Sequence, residues 1–83
     1  MTKLEQMLIE LGYEKIIHNF MTKLTNYQKN FAFCKIRIFI RDGVLVMYEL
    51  DQNWGYQEQC ELDNFQQAFN EMKKDLEVLK KYE

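Results

Sequence analysis

Hydrophobic residues recur along the first part of the chain with a spacing typical of helices. Thr2 followed by Glu5 forms a capping box, so a helix is expected to begin directly after the threonine. Apolar residues then recur at i, i+3, i+4 and i+7, and Gly12 is suited to end this helix in a left-handed conformation. A second apolar stripe continues over residues 13–25. The pattern therefore predicts either two helices or one long helix that bends at Gly12.

The middle of the chain alternates with the period of a β-strand. From Ala32 to Ile40, small or branched apolar residues occupy every second position, and phenylalanine or basic residues occupy the positions between them. An Asp-Gly dipeptide follows at 42–43 and predicts a hairpin. We expect a three-residue loop over 41–43, because this register pairs Ile40 with Val44 and keeps the apolar residues on one face.

Two further elements complete the pattern. Residues 56–62 suit a polar edge strand that follows a turn at 52–55. Asp63 and Gln66 form a second capping box ahead of a final helix. The apolar stripe of that helix comprises Phe65, Ala68, Phe69, Met72, Leu76 and Leu79.

These elements predict a single α+β domain over residues 1–83. It has an N-terminal helix or helix pair, a three-stranded antiparallel β-meander and a C-terminal helix. The helices are expected on one face of the sheet, the face that carries Ile36, Ile38 and Ile40. The opposite face of the sheet would then be turned outward, and the functional hypotheses depend on that orientation.

Composition narrows the classes of protein to consider. With 83 residues the chain has little core to spare, so most of its 47% hydrophobic residues are needed for folding. The apolar positions of the N-terminus are spaced as on a helix and are interrupted by Glu5 and Glu10, which is unlike a signal peptide. No apolar run approaches the ~18 residues that span a membrane. We therefore expect a cytoplasmic protein without a membrane partner.

The chain offers few groups for catalysis. Serine is absent, and the single histidine, His18, falls beside core positions of the predicted second helix, so we interpret it as a structural or surface residue. No metal-ligand spacing occurs. In a meander Cys34 and Cys60 would lie about 9–10 Å apart, too far for a disulfide, so two free thiols are expected on the core face. We predict no catalytic, cofactor or metal site, and no enzyme.

The predicted outer face of the sheet suggests binding to another protein. Large apolar residues there lie among Lys35 and Arg37, and a contiguous apolar patch often marks an interface. A homodimer through this face is one alternative, and a helix that wraps around to cover it is another. Aromatic residues alternating with basic ones could also stack single-stranded nucleic acid, a third alternative. The apolar residues of this face are Phe31, Phe33, Phe39, Leu45 and Met47, with Trp54 at the rim.

Charge is distributed unevenly along the chain. Residues 42–72 hold seven acidic residues and neither Lys nor Arg, whereas the whole chain has a net charge of −2. Such a segment could meet a basic protein, including a nucleic-acid-processing enzyme whose substrate phosphates the carboxylates would imitate. By analogy with small acidic phage inhibitors, a phage or mobile-element accessory protein is our most concrete hypothesis. Its predicted acidic contacts are Glu49, Asp51, Glu58 and Glu61.

Overall fold

The fold is described from a computed structural model, which covers residues 2–52 and 62–83. It is an α+β fold in which a four-stranded antiparallel sheet, with strand order β1-β2-β3-β4, is combined with two helices. The predicted α+β class is confirmed, but the predicted strand count of three is wrong. The elements are α1 (Lys3–Glu10), β1 (Glu14–Asn19), β2 (Leu24–Phe31), β3 (Cys34–Arg41), β4 (Val44–Gln52) and α2 (Leu62–Lys80).

Helix α1 begins and ends as predicted. The Thr2 hydroxyl accepts a hydrogen bond from the Glu5 amide at 3.1 Å, and the Glu5 carboxylate accepts one from the Thr2 amide at 3.3 Å. Gly12 follows the helix with φ +99°, a conformation that a side chain would strain. Leu4 and Leu8 are buried one turn apart, so the apolar stripe faces the core.

The predicted second helix over residues 13–25 is wrong, because this segment forms strand β1, a turn and the start of β2. Asn19 makes the turn: its side-chain oxygen accepts hydrogen bonds from the amides of Met21 and Thr22, at 2.9 and 3.2 Å. Ile16 and Ile17 are β-branched residues that suit a strand. Their spacing from later apolar residues matched a helix by coincidence.

The polar side chains of residues 27–30 predict a connection ahead of the first strand, but the structure includes these residues in strand β2. Thr25 and Tyr27 are buried, and Asn26 and Gln28 alternate with them on the other face. The sequence does not display this alternation clearly, because the next inward position is Lys29, a residue type that rarely faces a core.

Strand β3 carries the predicted core face. Cys34, Ile36, Ile38 and Ile40 are all buried, which confirms the alternation. The strand begins at Cys34 rather than at Ala32, since Ala32 lies in the preceding turn.

The hairpin between β3 and β4 uses a shorter loop than predicted. Arg41 pairs with Val44, so the loop is the two-residue Asp42-Gly43, and the predicted pairing of Ile40 with Val44 is wrong. Both loop residues have positive φ, as a type I′ turn requires. Such a turn twists in the same sense as the strands, which favours it over the three-residue loop.

A β-bulge between Phe39 and Ile40 then shifts the register of β4 by one residue. Beyond the bulge Ile38 pairs with Tyr48, the face relationship that the longer loop was expected to produce. Before the bulge Leu45 pairs with Ile40 and packs against the core cluster. The prediction that Leu45 lies on the outer face is therefore wrong.

Both helices contribute to one core beneath the β3 isoleucines, so the prediction that they cover the same face is confirmed. Helix α2 buries Ala68, Met72 and Leu79, and it also buries Asp75. Asp63 lies inside the first turn, since the helix begins at Leu62. The predicted third strand over 56–62 otherwise lies outside the described residues, as does Cys60.

The turn between β2 and β3 is strained. Ala32 and Phe33 have φ values of 50° and 62°, although neither residue type favours the left-handed region.

We expect Ala32→Asn to raise the free energy of unfolding by roughly 1 kcal/mol, because asparagine tolerates this conformation. Urea unfolding would measure the change. Asp42→Asn, at the equivalent position of the β3–β4 turn, is the matched control and is expected to be neutral; an equal effect of both substitutions would contradict the assignment of strain.

Candidate interaction surface

The face of the sheet turned away from the helices carries an apolar row at one end. Ile17, Asn26, Phe39 and Met47 are cross-strand neighbours, one from each strand. Ile17 is 59% exposed and Met47 44% exposed, whereas Phe39 is half-buried. No described element covers this row, so its apolar surface meets solvent. We call these four residues the apolar row, after the three apolar side chains in it.

A shallow pocket of about 250 Å³ opens beside Phe39. Its walls are mostly side chains of β1 and β2, and the side-chain oxygen of Asn26 is buried there without a hydrogen-bond partner among the described groups. A buried polar atom in this state is unfavourable until a donor reaches it. The residues lining the pocket are Ile17, Asn19, Thr22, Leu24, Asn26 and Phe39.

The other end of the same face is charged. Lys35 pairs with Asp51 across β3 and β4, and Arg37 pairs with Glu49. The Arg37 guanidinium lies 3.7 Å from Glu49 and 3.5 Å from Asp51, and all three side chains are partly exposed. Exposed ion pairs of this kind contribute little to stability, so they are available for contacts with a partner. We call these four residues the charged block.

The structure brings together four of the residues predicted to bind a partner. Phe39 and Met47 belong to the apolar row, and Glu49 and Asp51 belong to the charged block. Phe33 lies apart from them in the strained turn, where it is exposed. The remaining predicted contacts are Leu45, which is on the core side, and Trp54, Glu58 and Glu61, which lie outside the described residues.

Sequence reasoning missed two residues of this surface and wrongly assigned a third residue to it. Ile17 and Leu24 contribute to it, but both fell in the segment predicted to be helical. The alternation of β2 was the available signal for Leu24, and the β-branched pair Ile16 and Ile17 was the available signal for Ile17. Phe31, predicted on the outer face, pairs with Cys34 on the core side instead, and its ring lies 5.9 Å from the Lys29 ammonium.

The acidic segment does not form one acidic surface within the described residues. Glu71 turns toward the core and forms a salt bridge with Lys29 at 2.9 Å. Glu49 and Asp51 are partly neutralised by Arg37. These contacts weaken the electrostatic attraction that the segment could exert on a basic protein.

A buried polar cluster links β2 to α2. The Lys29 ammonium donates hydrogen bonds to the Leu11 carbonyl at 3.0 Å, to Glu71 at 2.9 Å and to Asp75 at 2.7 Å. The Tyr13 hydroxyl donates to the same Asp75 oxygen at 2.9 Å. All three ammonium protons therefore have acceptors.

The cluster is structural in character. Burial and the neighbouring Asp75 raise the pKa of Tyr13, so the phenol stays protonated and acts as a donor. The hydrogen bond from Lys29 lowers the pKa of Glu71 and keeps it ionised. Tyr13 is buried and the Lys29 side chain is only 9% exposed, so both groups are held in the interior.

A second pocket, of about 470 Å³, lies at the edge of the sheet near the start of α1. His18 lines it, with Nδ1 2.8 Å from the Thr25 hydroxyl and its ring edge-to-face with Phe20. His18 is thus an exposed strand residue, not a residue of a second helix. Lys15 and Lys23 line the same pocket, but Glu5 and Asp42 offset their charge, so the lining has no clear preference for an anion.

Within residues 2–52 and 62–83, no group of His, Cys, Asp and Glu side chains is arranged to hold a metal ion. Neither described helix combines the length and apolar character needed to cross a membrane. Comparison with protein families, curated proteins and solved structures found no match to this chain.

Proposed function

We propose that this chain is a non-catalytic interaction domain that binds another protein through the outer face of its sheet. The observation that carries this proposal is the apolar row, which is exposed at its two ends by Ile17 and Met47 and lies next to the charged block. Exposed apolar side chains next to polar groups are typical of a protein interface.

A protein partner fits this face better than a nucleic acid does. Lys35 and Arg37 are the only cations in the middle of the face among the described residues, and each has an acidic neighbour on β4. Phosphate binding requires a net positive potential, which these neighbours cancel. The apolar row presents one aromatic ring, that of the half-buried Phe39, whereas stacking of successive bases needs several exposed rings.

The hypothesis of a phage or mobile-element inhibitor that binds a basic host protein stays a prediction. Glu49 and Asp51 lie on the proposed face and would contact such a partner. The binding would depend on salt concentration if these carboxylates contribute to it.

A photo-reactive amino acid at position 47 tests the proposal. With the probe replacing Met47, irradiation in a lysate of the source cells is expected to give a covalent product with a protein. The matched control places the probe at Ile9, which is 46% exposed on α1 and lies away from the face, and is expected to give no specific product.

The outcomes of this experiment are distinct. A protein product at position 47 that disappears when Phe39→Glu is added to the chain supports the proposal, because Phe39 is the neighbour of Met47 in the apolar row. The absence of any product at position 47, or equal products from both positions, would overturn it.

A further inference from the structure

We propose that the protein bound by the outer face is a second copy of this chain, an inference that rests on the proposed function. Three pairs of outward-facing residues across β3 and β4 carry it: Lys35 with Asp51, Arg37 with Glu49 and Phe39 with Met47. In the first two pairs a cation faces an anion, and in the third an aromatic ring faces a thioether, which is also a favourable contact. The two strands are therefore complementary to each other at these three levels.

Complementary neighbours of this kind make the face complementary to itself. A two-fold axis that runs parallel to the strands, midway between β3 and β4, places β3 of one protomer over β4 of its partner at the same level. Arg37 then faces Glu49 of the partner subunit, and Phe39 faces Met47 of the partner subunit. Sheets that pack face to face keep their strands within about 30° of each other, so the levels match near the centre of the contact.

Two other two-fold arrangements of this face place like charges together. An axis across the strands at the level of Phe39 sets Arg37 against Arg41 of the partner subunit, since both are two residues from Phe39 on the same face. An axis along the strands but between β2 and β3 sets Glu14 against Glu49 of the partner subunit, because both lie in the cross-strand row of Arg37. Opposed like charges at an interface are strongly unfavourable. The charge pattern therefore selects the axis between β3 and β4.

The small size of the contact limits the expected affinity. Strands β3 and β4 have eight and nine residues. At about 3.3 Å per residue and 4.8 Å between strands, the shared strip is roughly 26 Å long and 10 Å wide before side chains are added. This is smaller than the ~800 Å² per partner of a standard interface. We expect a weak dimer with a Kd in the micromolar range or above, populated as concentration rises.

Charge reversal at the paired positions tests the arrangement. Arg37→Glu opposes two acids across the dimer, and Glu49→Arg opposes two arginines, so each variant alone is expected to dimerise at least about tenfold more weakly than the parent chain. An equimolar mixture of the two variants pairs an acid with an arginine at both contacts. Sedimentation velocity at low salt is expected to show dimers of the parent chain and of the mixture, but not of either variant alone.

Recovery in the mixture separates a lost contact from a lost fold, because misfolded variants cannot restore each other. A parent chain that dimerises while the mixture stays monomeric would overturn the proposed axis. A parent chain that is monomeric at millimolar concentration would overturn self-association altogether. In that case a photo-crosslink from position 47 to a different protein would still support the proposed function, so the two proposals fail separately.

Discussion

Lys29→Met is expected to lower the free energy of unfolding by about 3–5 kcal/mol, because it leaves the buried carboxylate of Asp75 without its counter-charge. The Lys29 side chain is only 9% exposed, and Asp75 is fully buried. Tyr13 would remain as a donor to Asp75, but a single neutral donor does not replace an ammonium at 2.7 Å. Urea unfolding followed by circular dichroism measures the loss.

Lys74→Met is the matched control for this substitution. Lys74 also contacts Glu71, at 3.2 Å, but it is exposed, so its replacement is expected to cost less than about 1 kcal/mol. Similar losses in the two variants would show that burial of the Lys29–Asp75 pair has no energetic importance.

The double variant Lys29→Met/Asp75→Leu separates the cost of an unpaired charge from the value of the pair. Replacing both partners with apolar residues removes the buried charges, so we expect the double variant to be more stable than Lys29→Met alone. Tyr13 would lose its acceptor, which limits the recovery. A double variant less stable than the single one would contradict this explanation.

Ile38→Ala carries the second large expected effect, a loss of about 2–5 kcal/mol in the free energy of unfolding. Ile38 is fully buried on β3, an inner strand between β2 and β4, where the neighbouring groups cannot collapse to fill a cavity. For a chain of 83 residues the total stability is of the order of 4–12 kcal/mol, so the variant is expected to be partly unfolded at moderate temperature.

Ile16→Ala is the control, since it makes the same substitution in a strand at a residue that is 44% exposed. Its expected cost is below about 1 kcal/mol, because little apolar surface leaves a packed environment. Thermal unfolding of both variants at a concentration that keeps the chain monomeric provides the comparison. Equal losses would contradict the assignment of the core to the Ile38 face.

The buried polar cluster has a consequence for the arrangement of the fold. Lys29 on β2 contacts Glu71 and Asp75 on successive turns of α2, and it also contacts the Leu11 carbonyl before β1. If the helix slipped along the sheet, these buried charges would lose their partners, at a high desolvation cost. The cluster therefore favours one position of α2 on the sheet, which leaves the outer face open for the proposed dimer.

Part of the interaction surface could be predicted from the sequence because it follows from alternation along one strand. Once Ile36 and Ile38 face the core, Arg37 and Phe39 must face outward. The cross-strand neighbours on which the proposed dimer depends could not be predicted, because the bulge beside Ile40 decides that Arg37 meets Glu49.

Local signals in the sequence were sufficient to predict the elements that short-range interactions determine. The capping box at Thr2, the termination of α1 at Gly12 and the period-two pattern of β3 each depend on residues a few positions apart. Short-range hydrogen bonds and steric preferences decide such features, so they can be recognised without knowing the fold. The α+β class and the covered face of the sheet followed from them.

Features that depend on distant parts of the chain were decided by tertiary packing. Ile16 and Ile17 fit a helix as well as a strand, and pairing with β2 selects the strand. Lys29 and Asp75 look like surface residues until the fold brings their charges within 2.7 Å of each other, which allows both to be buried. Tertiary packing also decides the outer face. The sequence of each strand determines which side chains it presents there, but strand pairing determines which of those side chains are neighbours, and no local pattern contains that pairing.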